Sequence, residues 1–138
     1  MIDDGLRKIF HTNLRKFHWQ AIESGLTGGG IPDSNFCIEG IEGWVEHKAT
    51  ATLSVPLSSD QVGWHLRRFR AGGRTFIAVR LRHSGGPRKG FPVDRLYLYP
   101  GAMAKSLYVS GLRTKPLGQW EGCPAHWDWN AVGKLLRN

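Results

Sequence analysis

Ile31-Pro32-Asp33-Ser34-Asn35-Phe36-Cys37-Ile38-Glu39-Gly40-Ile41-Glu42-Gly43-Trp44-Val45-Glu46-His47-Lys48 is the stretch from which the rest of the chain can be read. Twelve residues separate Asp33 from Glu46. That interval holds a short strand (Asn35 to Ile38), a glycine-containing turn (Glu39 to Gly43) and a return strand (Trp44 to Ala49). Side chains alternate across a strand, so Glu46 and Lys48 share one face and His47 takes the other. A hairpin then brings Asp33 back towards Glu46 and Lys48. Two carboxylates converging beside one lysine make a divalent-cation site with a cationic helper.

Composition bounds the possibilities. A chain of 138 residues with 41% apolar residues is expected to form one domain with an ordinary core. No apolar run reaches the length of a membrane span, and the start Met1-Ile2-Asp3-Asp4 lacks the order of a signal peptide, so a cytoplasmic protein is expected. Cys37 and Cys123 read as reduced thiols; Cys123 and His126 form a Cys-x-x-His with no second ligand pair, which argues against structural zinc. Nineteen Lys and Arg against eleven Asp and Glu give a net charge of +8. That excess points to a polyanion, and nucleic acid leads because no basic amphipathic helix offers a lipid-facing side.

Asp3 to Ser24 is expected to be one helix, with Leu6, Phe10, Leu14, Phe17 and Ala21 as its apolar stripe, Asp3 or Asp4 as cap and Gly25 as stop. On that helix Arg15, Trp19 and Glu23 share a second face near Lys8 and Lys16. Glu23 can pair with a neighbouring base. The run Thr27-Gly28-Gly29-Gly30 serves either as a flexible connector or as a place of tight approach to the metal site or to a phosphate. Ser58 with Gln61 fits a capping box opening a second helix to about Ala71, with Val62, Leu66 and Phe69 inward and Gln61, Trp64 and Arg68 on another face. Arg67, Arg68, Arg70 and Arg74 crowd its end, a reasonable phosphate-contacting edge. Arg74 to Arg82 reads as a central strand, and His83 to Pro92 as a loop whose Arg88 and Lys89 can reach DNA. Beyond it come a strand Val93 to Tyr99, a short helix Met103 to Val109, an irregular segment Arg113 to Trp127 and a last helix to about Leu136, capped by Asp128 or Asn130. Trp120, Trp127 and Trp129 are expected to pack over the sheet or a dimer seam rather than to stack on bases.

The order Pro32-Asp33…Glu46-His47-Lys48 resembles the PD-(D/E)XK nuclease superfamily, and the preceding Gly-Gly-Gly-x-Pro-Asp looks like its small VRR-NUC and Holliday-junction-resolvase groups. The resemblance covers roughly Leu6 to Leu81. It implies an α/β restriction-endonuclease-like fold: an αβββαβ core, a mixed central sheet flanked by helices, here with a small C-terminal β/α extension. It implies Mg²⁺ (Mn²⁺ as substitute) held by Asp33, Glu46 and the backbone carbonyl of His47, with Glu23 as a further ligand. Lys48 becomes the catalytic lysine and Gln61 a residue near the active site, competing with its capping role. His47 departs from the usual aliphatic middle residue and sets an imidazole behind the site. The expected activity is a metal-dependent, structure-specific endonuclease on branched DNA, of the kind used in recombination, phage-like and homodimeric. Its DNA contacts would come from Arg15, Lys16, Trp64, Arg67, Arg68, Arg70, Arg88 and Lys89. A same-fold restriction or nicking enzyme, an exonuclease, and a non-catalytic nucleic-acid-binding protein are the alternatives.

Overall fold

A computed structural model describes residues 3–23, 29–87 and 90–138. Its first helix, α1 (Leu6–Asn13), is far shorter than the expected helix over Asp3 to Ser24. Asp3 does serve its start: its carboxylate accepts from Gly5 N and Arg7 N. After Asn13 the chain turns, Phe17 N bonding back to Leu14 O, and runs out as strand β1 (His18–Ala21). Leu6, Phe10, Leu14 and Phe17 are all buried, so those four stripe residues read true although two lie beyond the helix. Ala21 is exposed on β1, and the helical face joining Arg15, Trp19 and Glu23 does not exist. The expected stop at Gly25 lies outside the described residues.

Strand β2 (Ser34–Ile38) and β3 (Ile41–Thr50) form the expected hairpin with a tighter turn than Glu39 to Gly43. Ile38 pairs with Ile41, leaving only Glu39 and Gly40 in the loop. Both have positive φ, 51° and 79°, the mirror-image turn whose twist suits a two-residue hairpin. Helix α2 (Ser59–Arg70) follows, with the capping box formed in full: Ser58 N donates to Gln61 Oε1 at 2.9 Å and Gln61 N to Ser58 Oγ at 3.2 Å. Strand β4 (Thr75–His83) then lies parallel to β3, so α2 is a crossover between neighbouring parallel strands. Strand β5 (Val93–Pro100), helix α3 (Ala104–Ser110), strand β6 (Gly118–Glu121) and helix α4 (Trp129–Arg137) complete the chain. β6 falls inside the segment read as irregular. Asp128 caps α4, its carboxylate accepting from Ala131 N.

The six strands stand in the order β1-β2-β3-β4-β5-β6, antiparallel except for the β3–β4 pair. The molecule is therefore α/β with a mixed sheet and helices on both faces. One face carries Phe36, Val45, Phe76, Ala78, Leu96 and Leu98 under α1 and α4. Trp127 is buried in this core, and Trp120 and Trp129 pack against it, as expected. The other face carries Ile77, Val79, Tyr97 and Tyr99 under α2 and α3. The inward side of α2 is Val62 and His65, with Leu66 half-buried; Phe69, expected inside, is 53% exposed. His65 takes the core position because Thr75 offers it a partner: their Nδ1 and Oγ1 are hydrogen-bonded. No helix among the described residues is long and apolar enough to cross a membrane.

Candidate active site

Glu46 and Lys48 lie on the α2 side of β3, across from Ile77 and Val79 of β4. Glu46 is 5% exposed. Its carboxylate has no hydrogen bond or ion pair among the described residues. Burial pushes its pKa up to about 8, the charge of Asp33 adds to that, and Lys48 opposes it. Burying a carboxyl group is costly, and carboxyls perturbed in this way cluster at functional sites.

Asp33 stands just outside β2, one step past the Ser34–Val45 pair and so across from Glu46. Three contacts hold its segment. Ile22 N donates to Asp33 O at 2.8 Å, extending the ladder of β1, the strand the sequence reading missed. His47 Nδ1 donates to Asp33 Oδ1 at 2.7 Å, since a carboxylate only accepts. Gly30 (φ 90°) presses against the first turn of α2, where an added Cβ would stand 2.2 Å from the Asp60 carbonyl oxygen. Gly30 therefore makes a close backbone approach, but to the start of α2 rather than to the metal site or a phosphate as expected of the glycine run. Thr27 and Gly28 lie outside the described residues.

His47, as alternation requires, is on the opposite face from Glu46. Its side chain is fully buried, edge-on to Phe10 at 4.7 Å, and its Nε2 has no partner. Beside it His11, which the sequence did not single out, bonds Ser34 Oγ at 2.9 Å and stacks on Trp19 at 4.5 Å. Burial and then the neighbouring His47 lower its pKa to about 4. His11 carries no motif; only the fold brings it to Asp33's flank.

The remaining candidates divide. Gln61 is committed to the capping box, at the point where the Asp33 loop meets α2. Glu23 follows β1 rather than sitting on a helix, is largely exposed, and pairs with Arg7 at 3.3 Å, the simpler of its two expected fates. Trp64 meets Trp44 edge-on at 5.4 Å, and the Arg68 guanidinium lies over both rings, 4.7 Å and 5.4 Å from their centroids. Arg67, Arg68 and Arg70 are exposed on α2. Arg15 and Lys16 are instead on the far face of the sheet, where with Arg137 they rim a cleft of about 280 Å³ floored by Phe17, Ile38 and Trp129. Arg88 and Lys89 lie outside the described residues.

Among the described residues no three of His, Cys, Asp and Glu form a ready-made cation cage. What the site offers is two acids of unequal environment: Asp33, tethered by His47, and Glu46, buried and unpaired among the described residues, with Lys48 on its strand face. No protein-family model matches the chain, and no curated protein matches it.

Proposed function

We propose that the protein is a Mg²⁺-dependent, structure-specific DNA endonuclease acting on branched DNA, with Asp33, Glu46 and Lys48 as its catalytic set. The observation that carries this reading is Glu46: a buried carboxyl with no hydrogen bond or ion pair among the described residues, on the same strand face as Lys48 and across the hairpin from Asp33. Supporting it, the element order from α1 to β4 is helix, three antiparallel strands, helix, parallel strand, the order that the PD-(D/E)XK resemblance implies.

Asp33, Glu46 and the His47 carbonyl would hold Mg²⁺, a hard cation that takes oxygen ligands and keeps several waters, so two acids suffice. When bound, it lowers the pKa of coordinated water and neutralises charge on the phosphate. The chain's own residues do the rest. His47 fixes the Asp33 carboxylate. Lys48 orients the attacking water and offsets charge on the phosphate. The water oxygen bonds to phosphorus as the bond to one sugar oxygen breaks, and that oxygen leaves with a proton. Glu23 stands at the rim and reaches the site only by giving up Arg7. Gln61 acts through the start of α2, where its side chain holds the turn that Gly30 packs on. Two copies cutting two strands of one junction would give the paired incisions of a resolvase, and a homodimer belongs to this proposal.

The test is incubation of the wild type, Asp33→Ala and Glu46→Ala with labelled four-way junction, flap, duplex and single-stranded DNA, in Mg²⁺, Mn²⁺ or EDTA. Paired junction cuts, lost with EDTA or with either substitution, are expected. Metal-dependent cutting of another substrate keeps the nuclease and discards the branched substrate. Binding without cutting in either metal sinks the enzyme reading.

A further inference from the structure

The sheet's α2 face is covered over only half its width. The core on that side draws on β4, β5, α2 and α3 and, among the described residues, takes nothing from β1, β2 or β3. Directly paired residues share a face, so the strand registers place His18, Gln20, Asn35, Cys37, Glu42 and Trp44 on the bare half. None of the six is buried. Glu46 and Lys48 stand at its inner edge, and α2 forms the wall beside them.

One cation on that wall is set apart from the other exposed arginines. The Arg68 stem passes over Gly73, where an added Cβ would meet Arg68 Cδ at 2.5 Å. Its guanidinium then lies over the Trp64 and Trp44 rings. A guanidinium held over aromatic rings by cation–π attraction is restrained while its N–H donors stay free for a further group. Arg68 is exposed and has no carboxylate partner among the described residues. A long side chain has thus lost its freedom in advance and kept its donors unspent, the arrangement that favours planar recognition of an oxyanion. Its mount is on the same strand face as Glu46 and Lys48. Trp44 precedes Glu46 by two residues, about 6.6 Å along a strand.

We propose that Arg68, mounted on Trp44 and Trp64, is a preset clamp for a backbone phosphate of a DNA strand that lies along β3 on the bare half-sheet, to the Trp44 side of the bond that is cut. This rests on the nuclease reading above. The occupant is a polyanion on grounds of charge: the chain carries +8, and Arg67 and Arg70 are further exposed cations on the same helix. A strand with evenly spaced phosphates can reach the clamp and the acid pair together. The clamp thereby gives the bound strand a direction, with its contacts to one side of the scissile bond.

Binding of a labelled four-way junction by the full chain is measured by anisotropy in EDTA, so that nothing is cut. Arg68→Ala is expected to weaken binding about tenfold and to lower the slope of log affinity against log salt by about one. Arg68→Lys keeps the charge but not the planar stack and is expected not to restore binding. Arg113→Ala, which removes an exposed arginine elsewhere, is expected to stay within about twofold. A single neutral methylphosphonate linkage is then moved along the strand. One position is expected to weaken the wild type and to add nothing in Arg68→Ala. If Arg68→Ala behaves as Arg113→Ala does, or if every linkage is additive with it, the clamp is overturned while the nuclease reading stands. If the Arg68 pattern is met but no DNA is cut in Mg²⁺ or Mn²⁺, the clamp stands and the nuclease reading falls. No junction binding by the wild type overturns the clamp, and the nuclease reading is then decided by the cutting assay alone.

Discussion

His47 shows how far a single residue can be read. Alternation along β3 placed its imidazole behind Glu46 and Lys48, and there it is, fully buried against Phe10. That it would hold Asp33 was not legible. Asp33 lies outside the strand, and the 2.7 Å contact depends on the hairpin closing at Glu39–Gly40 rather than two or three residues later. The contact makes a prediction that separates positioning from packing. His47→Leu removes the donor and also the orphaned Nε2, whose burial costs about 1–3 kcal/mol. The variant is therefore expected to melt no lower than the wild type. Its Mg²⁺ requirement for cutting should nevertheless rise about 10- to 100-fold, the usual loss when a residue supporting a ligand is removed. Mn²⁺ affinity measured by calorimetry should fall with it. His47→Asn, whose amide nitrogen can replace Nδ1, should recover part of both. An unchanged metal requirement in His47→Leu would show that Asp33 needs no tether.

At the scale of elements, what was local in sequence was legible and what was made by pairing was not. The α2 capping box was readable because Ser58 and Gln61 satisfy each other within one turn. Strand β1 was not, because Phe17 and Ala21 happen to continue a helical spacing and no Gly or Pro marks the break after Asn13. His18–Ala21 become a strand only by pairing with Ser34–Cys37. β6 is likewise defined by its register against β5. The cost of missing β1 was real, since its extension through Ile22 carries Asp33. The same segment meets α2 at Gly30, and two glycine variants isolate that contact. Gly30 and Gly40 have similar positive φ, 90° and 79°, but an added Cβ has nothing within 4 Å at Gly40 and strikes the Asp60 backbone at Gly30. Gly40→Ala is expected to lose about 1–3 kcal/mol from strain alone. Gly30→Ala should lose more, read as the difference between urea midpoints, and should also impair cutting because Asp33 is displaced. Equal midpoints would mean the loop and α2 part without cost.

The whole molecule sorts its charges between two faces. Arg15, Lys16 and Arg137 gather around the cleft beside α4, whereas Arg68 lies over Trp44 on the face that holds Glu46 and Lys48, and Arg67 and Arg70 are exposed on the same helix. A sequence can count basic residues but cannot divide them in this way, because the division follows from the turn after Asn13. The buried ionisable groups make the molecule's stability depend on pH in two opposed directions. His65 and His11 are lowered to about 4, mainly by burial, from 6.5 in the unfolded chain. The unfolded chain then holds more protons, so the stability these histidines contribute is present above pH 6.5 and lost as pH falls towards 4. Glu46 is raised to about 8 from 4.5, so the folded chain holds the proton; its contribution is present below pH 4.5 and lost as pH rises through 8. With two groups rising and one falling, stability should peak near pH 6.5 and then decline on the Glu46 limb alone. Over its whole span, from pH 4.5 to 8, that limb amounts to about 5 kcal/mol, of which the part beyond pH 6.5, about 2 kcal/mol, shows as a net decline. Chemical unfolding at a series of pH values checks this. Glu46→Gln should gain stability more steeply than the wild type above about pH 4.5 and stay level above pH 6.5, where the wild type declines. Saturating Mg²⁺ should flatten the same limb in the wild type, because a bound cation favours the ionised carboxylate, and should leave Glu46→Gln unchanged. A wild type that shows no decline between pH 6.5 and 9 would mean that Glu46 finds solvent or a partner, and the case for a cation at this site would lose its main support.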